Sequence, residues 1–177
     1  MGLFKLFILL QSAHLLISIP YQRFTKIECQ SSQISVSKFR CFLKSYKRNN
    51  PLLNVEYTLT RKVDKSKVDL RVQRYSSSED NYNKIMGFEN VELCKLLKGS
   101  TNISFLKEYI ENLKRFNGNV VSSCDRIGDF HISNVSYSGM NYLRLFPAGK
   151  YKNNLHFHDS DDSNIFNLTY VSIIFHK

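Results

Sequence analysis

The chain has 177 residues, of which 42% are hydrophobic and 23% charged, with only 7 Gly and 3 Pro. This composition excludes a disordered, collagen-like or low-complexity chain, and the length suits one domain with a substantial core. The formal net charge of +10 permits an anionic partner without indicating which one.

Residues 1–20 have the pattern of a secretory signal peptide. One basic residue, Lys5, precedes a mostly apolar run from Leu6 to Ile19, which ends at Pro20. The run is shorter than the roughly 20 residues of a membrane span, so a cleaved signal is the better interpretation. We therefore expect a secreted, extracellular protein that does not span a membrane after signal cleavage, with residues 21–177 forming a single β-sandwich domain.

In a secreted protein, cysteines are expected to form disulfides, and this chain has four of them: Cys29, Cys41, Cys94 and Cys124. An even number of cysteines in an oxidising compartment predicts two disulfides. Three connectivities are possible, and the spacing favours Cys29 with Cys41 and Cys94 with Cys124, since each pair closes a local loop. A zinc site is the weaker alternative, because the chain has no CxxC or CxxH pair.

Secretion also makes the three acceptor sequons meaningful. They are Asn-Ile-Ser at Asn102, Asn-Val-Ser at Asn134 and Asn-Leu-Thr at Asn167. Such tripeptides occur by chance in any protein, but in the secretory pathway they become acceptors for N-linked glycans. We therefore predict glycosylation at these three asparagines, with Asn167 emerging near the end of a strand.

Most of the mature chain is predicted to form β-strands. Apolar residues alternate in residues 24–29 and 35–43, on either side of a polar run, and this pattern predicts a first hairpin. The same alternation in residues 53–59 and 68–72 predicts a second hairpin with one apolar face. Each of these strands would therefore present one face to a core.

The periodicity changes after residue 100. Apolar residues recur at helical spacing from Phe105 to Phe116, Thr101 or Ser104 suits the N-terminus, and Asn-Gly at 117–118 suits the end. These features predict one amphipathic helix near residues 104–117. No other segment has comparable helical periodicity.

Further strands are predicted at residues 127–137, 141–146, 150–158 and 165–175. The last of them is apolar on both faces, which is typical of a central strand. Six to eight strands with one inserted helix predict a mainly β fold, an immunoglobulin-like β-sandwich.

The polar residues do not indicate an enzyme. His156 and His158 share one face of a predicted strand, and His131 with Asp129 would have to join them to make a metal site. No third ligand stands at a diagnostic spacing, so no metal or other cofactor is predicted. A secreted ribonuclease would require these histidines to converge with a lysine on one cleft, and no hydrolase or phosphate-binding motif is present.

Basic residues are concentrated in one stretch. Between Lys38 and Arg74, eleven Lys and Arg residues accompany three Asp and Glu residues. This excess is typical of a solvated outer face, and it would also suit docking on anionic headgroups, a membrane receptor or a channel. Aromatic residues are too sparse here for a nucleic-acid surface.

Five short motifs carry a family resemblance. They are FTKIECQSS at 24–32, FRCFLKSYKR at 39–48, ELCKLL at 92–97, the cysteine at 124 and PAGKY at 147–151. In this order they resemble a large insect family of small secreted proteins, largely of unknown function, that includes the CheB chemosensory proteins. That family is similar to ganglioside-activator and myeloid-differentiation-type lipid-recognition domains. The chain departs from the family at 122–125, where SSCD replaces the usual HTCP.

The resemblance implies a sandwich whose two sheets splay into a cup for an apolar ligand, without catalysis. We expect a secreted, non-enzymatic protein that holds a lipid or hydrocarbon between its sheets, with a role in chemosensation. Apolar residues on facing strands would line the cup: Phe39, Leu43, Val55, Tyr57, Leu59, Leu70, Val72, Leu143, Leu145, Leu155, Phe157, Phe166, Leu168 and Tyr170.

The alternative is an extracellular interaction module that docks on a receptor or channel through its basic face. In that case the same apolar residues would fill a solid core, because protein interiors are normally close-packed. The volume of any hollow between the sheets separates the two hypotheses.

Overall fold

Alternating apolar and polar residues produce strands along most of the chain. The computed structural model describes residues 19–45, 50–63, 65–122, 124, 126–138 and 140–176, so the predicted signal peptide lies outside the described residues except for its last two. The strands are β1 (Pro20–Ser31), β2 (Val36–Ser45), β3 (Pro51–Val63), β4 (Lys67–Ser76), β5 (Asn81–Glu92), β6 (Asn117–Gly118), β7 (Arg126–Val135), β8 (Gly149–His158) and β9 (Asn164–His176).

These strands form two antiparallel sheets. Sheet A has five strands in the order β1-β9-β8-β4-β5, and sheet B has four in the order β2-β3-β7-β6. The prediction of a mainly β fold is confirmed. The prediction that the last strand is central is also confirmed, because β9 lies between β1 and β8.

Aromatic residues join the inner faces of the two sheets. Tyr57 of β3 and Phe39 of β2 each place their rings 4.9 Å from the ring of Phe166 on β9. Burial alternates along β3, where Val55 and Leu59 point inward with Tyr57. The core therefore lies between the sheets, where period-two side chains from both can meet.

Both predicted hairpins are wrong in their pairing. β1 pairs with β9 and β2 with β3, so the first two strands lie in different sheets. β3 pairs with β7 and β4 with β8, so the second predicted pair is also divided between the sheets. Alternation shows which face of a strand is apolar, and that face can be covered across the sandwich as well as by a neighbour in one sheet.

The two sheets are held together differently at their two edges. At one edge, the Cys29–Cys41 disulfide joins β1 of sheet A to β2 of sheet B, with the Cα atoms 6.1 Å apart. This pairing confirms the first predicted disulfide. At the other edge, the segment between β5 and β6 inserts two helices, α1 (Leu93–Leu97) and α2 (Ser104–Leu113).

The amphipathic helix is present, but it is shorter than predicted. α2 ends at Leu113, because Asn117 and Gly118 pair with β7 as a two-residue strand. A Cβ at Gly118 would clash with the carbonyl oxygen of His131, so only glycine permits this approach. No helix in the described part of the chain is long and apolar enough to cross a membrane.

The strand predicted at residues 141–146 is wrong, because Asn141–Leu145 is a 3-10 helix. The amide of Leu143 donates to the carbonyl of Met140, and that of Phe146 donates to Leu143, both at 3.1 Å. This winding buries Tyr142 and Leu143 and turns Leu145 outward, with 72% of its surface exposed.

Replacing both Cys29 and Cys41 with serine should lower the free energy of unfolding by about 3 kcal/mol. The bridge spans 12 residues of sequence, and losing it frees that loop in the unfolded chain. Urea unfolding followed by circular dichroism measures the change. An unchanged free energy would show that the bridge does not restrict the unfolded chain.

Candidate functional site

A row of small voids lies under the inserted helices. In the described part of the chain, voids of about 10, 60 and 20 Å³ follow one another along the inner face of sheet A. The side chains of Leu93 and Phe157 border both the first and the second, and Leu70 and Tyr109 border both the second and the third. The three voids are therefore neighbours that share lining side chains.

The middle void has an almost entirely hydrocarbon lining. Its floor comes from β4 and β8 and its roof from α1, α2 and residues 120–121. The lining consists of Val68, Leu70, Leu93, Leu96, Leu97, Leu106, Tyr109, Ile110, Leu113, Val120, Val121, Leu155 and Phe157. Such a surface offers dispersion contacts and no hydrogen-bonding requirement to a ligand.

The third void has polar groups in its wall. Tyr142 and Asn153 both border it, and the Tyr142 hydroxyl and the Asn153 Nδ2 are buried without a hydrogen-bond partner. Buried donors of this kind cost about 1–3 kcal/mol each unless something pairs with them. A void of about 20 Å³ has room for one water-sized group.

Four tyrosines form a buried cluster beside this void. The Tyr137 hydroxyl donates to Tyr109 at 2.8 Å, and Tyr170 is also hydrogen-bonded to Tyr109. Burial raises the pKa of Tyr109, and it raises the pKa of Tyr137, Tyr142 and Tyr170 well above the ordinary tyrosine value. These phenols therefore stay neutral hydrogen-bonding groups within the core.

The structure divides the predicted cup residues into two groups. Nine border at least one of the three voids: Tyr57, Leu59, Leu70, Val72, Leu143, Leu155, Phe157, Phe166 and Tyr170. Of the other five, Val55 and Leu168 are buried in the core, and Phe39 and Leu43 pack against it half-buried. Leu145 is exposed on the 3-10 helix, so its assignment to an inner strand face is wrong.

The sequence interpretation missed most of the roof. Leu93, Leu96 and Leu97 of α1 are buried at helical spacing, a pattern that is visible in the sequence but covers only five residues. Val120 and Val121 also contribute, and no periodicity marks them. The α2 residues were recognised as one apolar face, although their place between the sheets was not.

The second cysteine pair is brought together next to α1. The Cys124 thiol donates to the carbonyl oxygen of Cys94 at 3.8 Å. The structure shows no disulfide at this position, so the bridge between them stays a prediction. It would attach the loop before β7 to α1, which roofs the middle void.

The predicted glycosylation sites differ in accessibility. Asn102 and Asn134 are exposed, Asn134 at the end of β7. Asn167 is half-buried within β9, opposite Gln30 on β1 and His156 on β8. Asn167 is the fourth residue of β9, close to the start of that strand, and it has neighbouring strands on both sides, so its glycosylation stays a prediction.

The basic stretch between Lys38 and Arg74 does not form one face. Its described residues are divided between the two sheets, because β2 and β3 belong to sheet B and β4 to sheet A. Several are paired with carboxylates, among them Lys38 with Glu56 at 4.0 Å and Arg61 with Asp159 at 3.0 Å. Residues 46–49 and 64 lie outside the described part of the chain.

A different basic surface lies on the outer face of sheet A. Lys150 and Lys152 of β8 border an open depression of about 300 Å³, with Lys26 of β1 on one side and Tyr82 of β5 on the other. Lys150 Nζ lies 5.3 Å from the Tyr75 ring centroid and 5.8 Å from that of Tyr82. Lys150 and Lys152 lie against aromatic faces, whereas Lys26 is ion-paired with Glu28, which also borders the depression.

A histidine pair lies on the same outer face. The rings of His156 and His158 stack 5.0 Å apart, and both point toward Asp69 on β4. Burial alone would raise the pKa of Asp69, but hydrogen bonds from the Asn90 amide, His158 and His156 hold it below its ordinary value. His131 belongs to β7 of sheet B, so the structure does not bring it into this cluster.

Asp129 is also separate from the histidine pair, because it accepts a hydrogen bond from Thr58 within sheet B at 2.5 Å.

Comparison with known proteins gave no family model and no curated protein that matches the chain.

The buried tyrosines predict a loss of stability at alkaline pH. Their raised pKa values mean that the folded state keeps protons that the unfolded chain loses above about pH 10, so stability should fall as pH rises beyond that value. Absorbance at 295 nm, recorded with circular dichroism, should show Tyr109, Tyr137, Tyr142 and Tyr170 ionising only as the fold is lost. Ionisation of all tyrosines in a folded protein near pH 10 would contradict this.

Proposed function

We propose that the protein is a secreted, non-enzymatic binding protein for a hydrophobic ligand, a lipid or a hydrocarbon. The ligand would lie between the inner face of sheet A and the roof formed by α1 and α2. The observation that carries this proposal is the middle void, whose lining side chains are apolar apart from the Tyr109 hydroxyl. Each methylene group transferred into such a place contributes about 0.8 kcal/mol.

The void must enlarge before an acyl chain can enter. Its volume of about 60 Å³ is far below the roughly 300 Å³ of the smallest typical ligand pockets. The structure is therefore the closed form under this proposal, and displacement of α2, which carries Tyr109, would join the middle void to the third one. The ligand would replace the apolar contacts that α2 gives up.

α2 is the element best suited to such a displacement. No side-chain hydrogen bond caps its N-terminus. Its described polar links to the rest of the domain are few: Glu108 accepts from the Tyr142 amide at 3.2 Å, and Tyr109 is hydrogen-bonded to Tyr137 and Tyr170. The remaining attachment is apolar packing, which a hydrocarbon ligand can substitute.

The ligand would carry a polar group at one end. The unpartnered Tyr142 hydroxyl and Asn153 amide lie at the far end of the row of voids, and both are donors. A carboxylate, ester or hydroxyl oxygen placed there would satisfy them, whereas a plain alkane would leave them unpaired. An amphipathic molecule such as a fatty acid fits this arrangement best.

The resemblance of the sequence motifs to the CheB-containing insect family supports the same proposal. Under this proposal, the two sheets form an immunoglobulin-like sandwich of the lipid-recognition type. The sandwich is joined at the Cys29–Cys41 edge and opened at the edge where the helices are inserted. The chemosensory role comes from that resemblance alone. No cofactor takes part in this function.

Substitutions at Leu155 test the proposal, because this side chain lies on the rigid floor of the middle void. Leu155→Trp should weaken the binding of the fluorescent fatty acid cis-parinaric acid by at least about tenfold, since it fills the space the chain needs. Leu155→Ala should leave binding intact or strengthen it. Fluorescence titration measures both, with thermal unfolding to check that each variant is folded.

Ile127→Trp is the matched control, because Ile127 is 62% exposed on β7, and it should bind like the wild type. Native mass spectrometry of glycoprotein purified from insect cells should also show adducts of acyl-chain mass. Absence of fatty-acid binding by the wild type, or equal affinity in all variants, would contradict the proposal.

The second candidate function is docking on a membrane receptor or channel. The specific observation in its favour is the depression lined by Lys26, Lys150 and Lys152, which replaces the basic stretch predicted from the sequence. A Lys150→Glu, Lys152→Glu variant that loses cell-surface binding while the wild type carries no ligand would favour docking over carriage.

A further inference from the structure

We propose that Asp69, His156 and His158 form a binding site for a divalent transition metal on the outer face of sheet A. Asp69 lies on β4 directly opposite His156 on β8, and His158 lies two residues further along the same strand. Their candidate ligand atoms all lie within 4.8 Å of one another. This site is independent of the ligand channel proposed on the inner face.

The two histidine–carboxylate contacts are long hydrogen bonds, and their lengths also suit metal coordination. His156 Nδ1 lies 3.4 Å from Asp69 Oδ2, and His158 Nε2 lies 3.4 Å from Oδ1. Good N–H···O hydrogen bonds are shorter, at about 2.7–3.2 Å. Tetrahedral zinc with bonds of about 2.0–2.1 Å places neighbouring ligand atoms about 3.3 Å apart, close to the distance from each histidine to its nearer Asp69 oxygen.

The groups around these ligands are those that metal sites use to orient them. His158 turns Nε2 toward Asp69, and its buried Nδ1 has no hydrogen-bond partner although Asp162 Oδ1 lies 3.2 Å away, so a small turn of this exposed carboxylate would pair it. A carboxylate behind a ligating histidine fixes the ring and its tautomer. Asp69 is itself held by the backbone amide of Asn90, which donates to Oδ1 at 2.7 Å.

The three ligand side chains differ in how much of their surface is exposed to solvent. The His158 side chain is only 4% exposed, whereas those of His156 and Asp69 are 39% and 32% exposed. One ligand is therefore fixed in the protein, and the other two border solvent. Three protein ligands leave a position for water or for a ligand from a partner, as in open zinc sites.

The chemical types of the three ligand atoms determine which metal ions the site would bind. Two imidazole nitrogens and one carboxylate oxygen suit Zn²⁺, and by the Irving–Williams order they bind Cu²⁺ still more tightly. Ca²⁺ and Mg²⁺ prefer oxygen ligands throughout and should not compete. Zn²⁺ is the probe of choice because it has no redox chemistry.

Isothermal titration of Zn²⁺ into untagged, chelator-treated protein tests the proposal. The protein should carry Asn167→Gln, since Asn167 lies opposite His156 and a glycan there would cover the site. The wild-type cluster should bind one Zn²⁺. His156→Gln and Asp69→Asn should each weaken binding at least about 100-fold, and Asp162→Asn should weaken it about 10–100-fold.

His131→Gln is the matched control, because this histidine is exposed on β7 of the other sheet, and it should leave affinity unchanged. Binding of Co²⁺ to the wild type should give visible absorption bands of a four-coordinate ion, and His156→Gln should abolish them. Absence of zinc binding by the wild type would overturn the proposal, as would equal affinity in wild type, His156→Gln and Asp69→Asn. Circular dichroism of each variant separates lost ligands from lost folding.

Discussion

α2 is inserted in the chain between β5, an edge strand of sheet A, and β6, an edge strand of sheet B. The rest of the structure depends on this insertion. At the opposite edge the Cys29–Cys41 bridge brings β1 and β2 within disulfide distance, so the two sheets can separate only on the side of β5 and β6. The apolar inner faces must be covered there as well, and α2 covers them with Leu106, Tyr109 and Ile110. A helix is about 10 Å across with its side chains, too wide for the sheets to close directly on each other.

A helix lying on a pleated sheet cannot fill every groove, and the voids follow from that mismatch. The side chains of α2 repeat every 3.6 residues, whereas those of β4 and β8 repeat every two. Leu70 and Tyr109 both border the middle and the third void. The middle and third voids thus lie against the helix inserted at this edge. An acyl chain in place of the roof would remove this mismatch, because a flexible hydrocarbon chain can follow the groove on the surface of the sheet.

Side-chain alternation made the strands and their apolar faces predictable. Tyr57 and Leu70 were identified as inward residues because alternation depends only on neighbours along the chain. Strand partners were not predictable, because Cys29 and Cys41 sit in neighbouring strands of sequence that belong to different sheets. The disulfide was still correct, since loop length requires no knowledge of the sheets. The 3-10 helix was missed because apolar residues such as Leu145 satisfy a strand pattern even when winding turns them outward.

Pairings over long distances in sequence determine both candidate sites. Asp69 is 87 residues from His156, so no spacing rule links the carboxylate to the histidine pair. The β4–β8 ladder creates that proximity, and it simultaneously places Leu70 and Leu155 opposite each other on the inner face. The two proposed sites therefore use opposite faces of the same pair of strands. A metal ion on the outer face would hold β4 against β8 and make the floor of the channel more rigid. The movement that admits a ligand would then fall on α2, whose attachment to the sheets is apolar packing with few hydrogen bonds.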